Sequence, residues 1–282
     1  MNKKITIIFV SFFSKKKVIK YLNQFNNKFR VIIIENSNDK SLLKETKKYS
    51  NVEILFNSIN YGFGKGSNIG LKKVNTKYAL HLDLDTKFTN KNIVELINLA
   101  EKIDNFGIIG PKISGYNYNN NDFKNKNYRN KLHSMNFIDG CCLLFNVKFL
   151  KKVGYFDENF FLYYEESDLL KRFIDNKKKI FMTEQVKIFH KGRSSTDKKY
   201  DIEIEVNRNW HLMWSKFYYY FKHFGYFYAC LKIFNQFLSA FLKSLYFSIN
   251  GNVFKSRIYR ARLSGCLNSI MLKKSWYRPK IN

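Results

Sequence analysis

The sequence predicts an α/β fold, a mostly parallel central sheet flanked by helices, followed by a helical region of different character. Three observations carry this. Short apolar runs rich in β-branched and aromatic residues alternate with segments of helical spacing as far as Asp201. Hydrophobic residues make up 45% of the 282 and aromatics 18%, enough for a sizeable core. The charge divides the chain: from Val206 to Asn282 there is no Asp or Glu, whereas the preceding stretch mixes both signs. The expected organisation is one domain over 1–201 and a basic, aromatic helical region over 202–282.

Taken in order, residues 5–10, 31–34, 52–56, 78–84 and 106–109 read as buried strands. The first of these follows two lysines and resembles a signal peptide, but it is short, has no small-residue cleavage site and runs into Lys15-Lys16-Lys17. A buried strand is the better reading. Residues 16–26, 41–49, 65–74 and 90–103 have helical spacing, with Ser41 and Asn90 as N-caps. Residues 114–134, an aperiodic Asn/Lys-rich run, are expected to form a mobile surface loop. An apolar stretch resumes at 137–145, a further helix at 167–176, and two strand-like runs fill 177–190. Cys141, Cys142, Cys230 and Cys266 lack zinc or CxxC spacing and are expected to be reduced thiols of a cytoplasmic protein. The net charge of +28 favours phosphate-bearing substrates, anionic lipid or nucleic acid as partners.

In an α/β sheet, ligands gather at the carboxyl ends of the strands, and the polar residues there form the candidates. Asp83 and Asp85, two apart at the end of the fourth strand, can point to one side. Such a pair suits a divalent cation and a diphosphate, or else caps the strand end. Glu35 and Asn36 end the second strand and open a turn to Asp39; they can meet a nucleobase edge or ribose, or merely form the turn. The run from Asn60 to Gly70 contains Gly62, Lys65 and Asn68, and its glycines allow close backbone approach beside a lysine suited to phosphate. Glu165, Glu166 and Asp168 follow an aromatic stretch, where one raised carboxyl pKa fits a general base; helix-start acids are the plainer explanation. His190 ends an apolar run, and the Gly/Ser/Thr stretch after it carries Arg193, a candidate phosphate contact on a mobile lid.

Read in order, these segments resemble the inverting family 2 glycosyltransferases, rhamnosyltransferase-like members in particular. The landmarks are Val10-Ser11-Phe12, Glu35 to Asp39, Asn60-Tyr61-Gly62-Phe63-Gly64, Leu82-Asp83-Leu84-Asp85, Ile138-Asp139-Gly140-Cys141, Gly154-Tyr155-Phe156-Asp157, Tyr163 to Leu169 with Arg172, and His190. The resemblance implies a GT-A-type nucleotide-diphospho-sugar transferase fold. It implies that Ser11, Phe12 and Asn36 line a base pocket and that Asp83 faces ribose or diphosphate. By the same resemblance Asp85 and His190, with Asp83, hold Mg²⁺ or Mn²⁺. Asp139 and Gly140 then border donor sugar and acceptor, and Glu166 is the base. The donor expected is a dTDP- or UDP-sugar and the acceptor a glycan, polyprenyl-linked for a cell-surface polysaccharide.

In the C-terminal region, residues 224–250 place Lys232, Asn235, Gln236, Ser239, Lys243 and Asn250 on one stripe of an otherwise apolar helix. That pattern suits a helix lying at an anionic membrane surface, at the inner face of the cytoplasmic membrane, or one packed in a homo-oligomer. The two lysines argue against a span. Two other classes compete. A nucleic-acid-binding protein fits the charge, but no nucleic-acid module is present and no nucleic-acid partner is expected. A sugar nucleotidyltransferase is expected to carry a glycine-rich basic loop after the first strand, where this chain has Ser11-Phe12-Phe13-Ser14-Lys15.

Overall fold

The computed structural model describes residues 2–127, 130–192 and 200–279. In chain order the first elements are β1 (Asn2–Ser11), α1 (Lys15–Phe25), β2 (Phe29–Glu35), α2 (Ser41–Thr46), β3 (Val52–Phe56), α3 (Phe63–Leu71), β4 (Tyr78–Leu82), β5 (Thr86–Lys87) and α4 (Asn90–Ala100). There follow β6 (Phe106–Ile113), β7 (Phe123–Asn125), β8 (Leu132–Met135), β9 (Cys142–Asn146), α5 (Val147–Val153), α6 (Glu165–Asp175) and β10 (Lys179–His190). Three long helices close the chain: α7 (Asp201–Phe224), α8 (Tyr226–Ile249) and α9 (Val253–Ile270). The residues fall into two compact units. One comprises Met1–Tyr61, Lys65–Phe156 and Leu169–Thr196; the other comprises Gly62–Gly64, Asp157–Asp168 and Asp197–Asn282.

The first unit holds a sheet in the order β3-β2-β1-β4-β9-β6-β10-β8-β7, with β5 paired to the end of β10. The α/β class is as expected. Parallel pairing joins β3, β2, β1 and β4 and recurs between β6 and β10, while β9, β8, β7 and β5 pair antiparallel, so the sheet is mixed. Strand alternation fills both faces, because successive side chains point to opposite sides. Ile5, Ile7, Phe9, Val31 and Ile33 pack with α1 and α4 through Leu22, Phe25, Ile93 and Leu96. Ile8, Ile32, Ile34 and Ala79 pack on the other side with Leu71, Leu150, Leu169 and Phe173. Each large apolar side chain buried in this way contributes about 1.5–3 kcal/mol.

Several local expectations are corrected. Helix α4 is capped not by Asn90 but by Thr89, whose hydroxyl accepts from the Asn92 amide while the Asn92 side chain accepts from the Thr89 amide. Ser41 lies inside α2, and its amide donates to Asp39 Oδ1 at 3.0 Å. The two runs expected over 177–190 form one strand, whose register against β6 shifts between Thr183 and Lys187. The segment expected as a mobile loop extends the sheet instead: β7 and β8 pair with each other, and β8 pairs with β10.

The glycines of the third candidate segment have a packing role. A Cβ on Gly70 would stand 2.5 Å from Ile34 Cδ1, and one on Gly66 would stand 3.1 Å from Asn36 Nδ2 and 3.3 Å from Val10 Cγ1. Four residues apart on α3, they let the helix lie close on β1 and β2. In the second unit, α7 and α9 also meet closely, since a Cβ on Gly265 would stand 2.3 Å from the Trp210 carbonyl oxygen. No helix among the described residues is long and apolar enough to cross a membrane.

Candidate active site

Strand β4 ends at Leu82, and Asp83 to Thr86 form a turn in which the Thr86 amide donates to the Asp83 carbonyl at 3.2 Å. This turn, not strand alternation, brings Asp83 and Asp85 to one side. The chain then enters β5, which lies antiparallel to the end of β10 with Thr86 opposite His190. The Lys191 amide donates to the Asp85 carbonyl at 3.2 Å and fixes that register. His190 Nε2 consequently sits 3.1 Å from Asp85 Oδ1 and 3.8 Å from Asp83 Oδ2, and its Nδ1 lies 3.9 Å from Asp139 Oδ1. Asp139 reaches the cluster through the loop before β9, where its Oδ1 accepts from the Cys141 amide and the Asp83 amide donates to the Cys141 carbonyl.

Ligand atoms of Asp83, Asp85 and His190 all lie within 4.8 Å of one another, and those of Asp139, Cys141 and His190 form a second such set. The Cys141 thiol is pushed well above its usual pKa by burial, with Asp139 and Asp83 adding to the effect. The carboxylate oxygens of Asp83 and Asp85 are hard donors, and with the His190 imidazole they form a set that fits Mg²⁺ or Mn²⁺. Burial pulls the His190 pKa down, yet the Asp85 hydrogen bond and the charges of Asp83, Asp85 and Asp139 outweigh it and hold it above the ordinary value.

Around the expected base pocket, Ser11 is buried, Phe12 is half-buried and stands edge-on to Phe13, and the Asn36 amide donates to the Ser11 carbonyl at 2.8 Å. Asn36 Oδ1 accepts from Asn57 at 2.7 Å. Two residues expected at the donor, Glu35 and Asp39, make local bonds. Buried Glu35 accepts from both the amide and the hydroxyl of Ser37, and burial raises its pKa against the pull of Ser11 and Ser37. Asp39 holds the start of α2. The Asn68 amide group donates to the Phe156 carbonyl and accepts from the Phe156 amide, at 2.9 and 3.0 Å. Lys65 lies over the Tyr61 ring at 4.5 Å, and Gly140 is half-buried in the turn beside Asp139. Arg193 lies outside the described residues.

The second unit holds the other carboxylates. Asp168 is fully buried and bonded to Lys222 Nζ at 2.6 Å and His223 Nε2 at 2.9 Å. Lys222 also bonds Asp157 at 2.8 Å. Asp168 is thus held in a buried ion-paired network. Glu165 is buried, and Glu166 is half-exposed in the first turn of α6. The two residues before this turn, Tyr163 and Tyr164, are both left-handed at φ 67°. Such backbone costs on the order of 1–2 kcal/mol per residue. Gly62 supports this segment: its φ is +82°, and a Cβ there would stand 2.2 Å from the Phe161 carbonyl oxygen. Sequence reading missed Lys222 and His223, adjacent residues at the end of α7.

The family described as Glycosyl transferase family 2 matches residues 11–154. A curated relative, the low-salt glycan biosynthesis hexosyltransferase Agl10 of Haloferax volcanii, is 23% identical over 188 residues, 60% of this chain. The chain spans 61% of that relative's length. Among solved structures, the mannosyltransferase PcManGT from Pyrobaculum calidifontis, in complex with GDP-Man and Mn²⁺, matches with a TM-score of 0.61 at 9% identity, covering 97% of this chain and 89% of its own. GalNAc-T7 with UDP, GalNAc and Mn²⁺ matches with a TM-score of 0.57 at 13% identity, over 77% of this chain and 49% of its own. S. aureus TarS 1-349 in complex with UDP matches with a TM-score of 0.54 at 13% identity, over 99% and 94%. These likenesses establish a fold of the GT-A type.

Proposed function

The chain belongs to glycosyl transferase family 2, and from that premise we propose that it transfers a sugar from a nucleotide diphosphate donor to a glycan hydroxyl, with inversion and with a divalent metal. The observation that carries this reading is the convergence of Asp83, Asp85 and His190 within 4.8 Å. Mg²⁺ or Mn²⁺ held there supplies neutralisation of charge on a departing diphosphate. Mn²⁺ accompanies the nucleotide or nucleotide-sugar in the PcManGT and GalNAc-T7 complexes, which supports the same use here.

The proposed roles follow from the residues. Ser11, Phe12 and Asn36 border the nucleobase, Asp139 and Gly140 border the donor sugar, and Lys65 and Arg193 meet phosphate. Glu166, half-exposed where Asp168 is buried in an ion pair, takes the proton from the acceptor hydroxyl as its oxygen bonds to the anomeric carbon. The bond from that carbon to the diphosphate breaks in the same displacement, and configuration inverts. The acceptor proposed is a glycan, polyprenyl-linked at the inner face of the cytoplasmic membrane. A thermal-shift screen of dTDP-, UDP- and GDP-sugars with Mn²⁺ or EDTA tests the donor class. At least one donor is expected to raise the melting temperature only with metal present; no metal-dependent shift with any of them would overturn the reading.

A further inference from the structure

Helix α8 carries most of its large apolar side chains on the outside. The face it buries offers Ala229, Ile233, Ala240 and Ser244, and the buried residues of α9 include Ser256, Ala261 and Gly265. Small residues at such contacts let backbones approach, a packing common among helices in lipid. The opposite face presents Phe227, Leu231, Phe234, Leu238, Leu245 and Ile249, with the first two 84% and 77% exposed. Spaced by three or four residues over most of their length, they form one apolar strip along a 24-residue helix, about 36 Å at 1.5 Å per residue. In water this strip has no counterpart on a typical monomer surface.

Charge identifies what covers it. Lys232 and Lys243 are exposed on one flank of the strip, Lys232 over the Tyr220 and Tyr228 rings and Lys243 over Tyr259. The sequence from Val206 onward supplies no carboxylate to neutralise them. A second copy packed on the same strip would bring these lysines toward each other with no acid between. An anionic bilayer instead offers acyl chains to the strip and phosphates to the lysines. We infer that α8 is an in-plane membrane anchor, its Leu231–Phe234–Leu238 face seated at the boundary of headgroups and acyl chains in an anionic leaflet. This deepens the proposed membrane acceptor, yet vesicle binding is blind to catalysis, so its failure would leave the donor chemistry standing.

The test is flotation of the full chain with phosphatidylcholine vesicles, with and without phosphatidylglycerol, alongside sizing in solution. Wild type is expected to float with the anionic vesicles and to stay monomeric. The triple variant Leu231→Ser, Phe234→Ser, Leu238→Ser changes only exposed residues and is expected to keep the wild-type melting curve. Its vesicle partition is expected to fall by about tenfold or more. Lys232→Gln with Lys243→Gln is expected to weaken binding about fivefold per lysine at low salt and much less at high salt. Equal flotation of the triple variant would overturn the inference, as would a wild-type dimer that the triple variant dissociates while neither form floats.

Discussion

At His190, burial favours the neutral ring and three carboxylates favour the charged one, and the carboxylates win. In the metal-free chain this pairing stabilises the fold fully below the unfolded value of about 6.5, and the contribution is lost as pH rises through the higher folded value. A metal needs the same nitrogen deprotonated, so its dependence has the opposite sign. Mn²⁺ affinity is expected to fall on acidification, starting at a higher pH than an isolated histidine would give; a flat titration across that window would contradict this. The carboxylates of the second unit separate by burial. Glu166→Gln is expected to lower turnover by about 10²–10⁴-fold with donor affinity unchanged. Asp168→Asn is expected to cost stability, about 3 kcal/mol in urea unfolding, because Lys222 and His223 lose a buried counter-charge. Turnover within a few-fold of wild type in Glu166→Gln would move the base elsewhere. The residue types at these positions were legible in sequence; the buried pairing of Asp168 was not, because its partners lie 54 and 55 positions away.

Among the elements, the strands and helices before Asn105 other than the short β5 were legible within a few residues, because buried parallel strands read as continuous apolar runs. The Asp83–Thr86 turn was not. An aspartate pair looks the same at the end of an extended strand as in a turn, and only the β5–β10 pairing distinguishes the two. Strands β7 and β8 were hidden by composition, since an Asn/Lys-rich segment carries no alternation to read. The glycines at 62, 66 and 70 resemble a ligand loop in sequence, but Gly66 and Gly70 share one face of α3, whereas Gly62 precedes the helix with φ +82°. Their substitution separates the two uses. Gly70→Ala presses on an isoleucine methyl and gains helix propensity, so a net cost of about 1–2 kcal/mol is expected. Gly62→Ala forces a left-handed alanine against a backbone oxygen and is expected to cost more, about 3 kcal/mol. Equal melting temperatures for the two variants would contradict this assignment.

For the whole chain, the sequence features of greatest weight were the order of the motifs and the division of charge. The motif order survives into family membership, matched over residues 11–154, and into a GT-A-type sheet. The charge division marks the helical region, whose apolar strip on α8 appears only once small and large residues are assigned to faces. The motif order bears on one central chemical claim: that Asp83, Asp85 and His190 hold the cation that binds the donor diphosphate. Calorimetric titration of Mn²⁺ into the full chain with UDP present tests it most directly, in wild type, Asp85→Ala and His190→Ala. Saturable binding to wild type is expected, weakened at least about 10-fold in each variant. Wild-type affinity in both variants, or no Mn²⁺ binding by the wild type, would contradict the account.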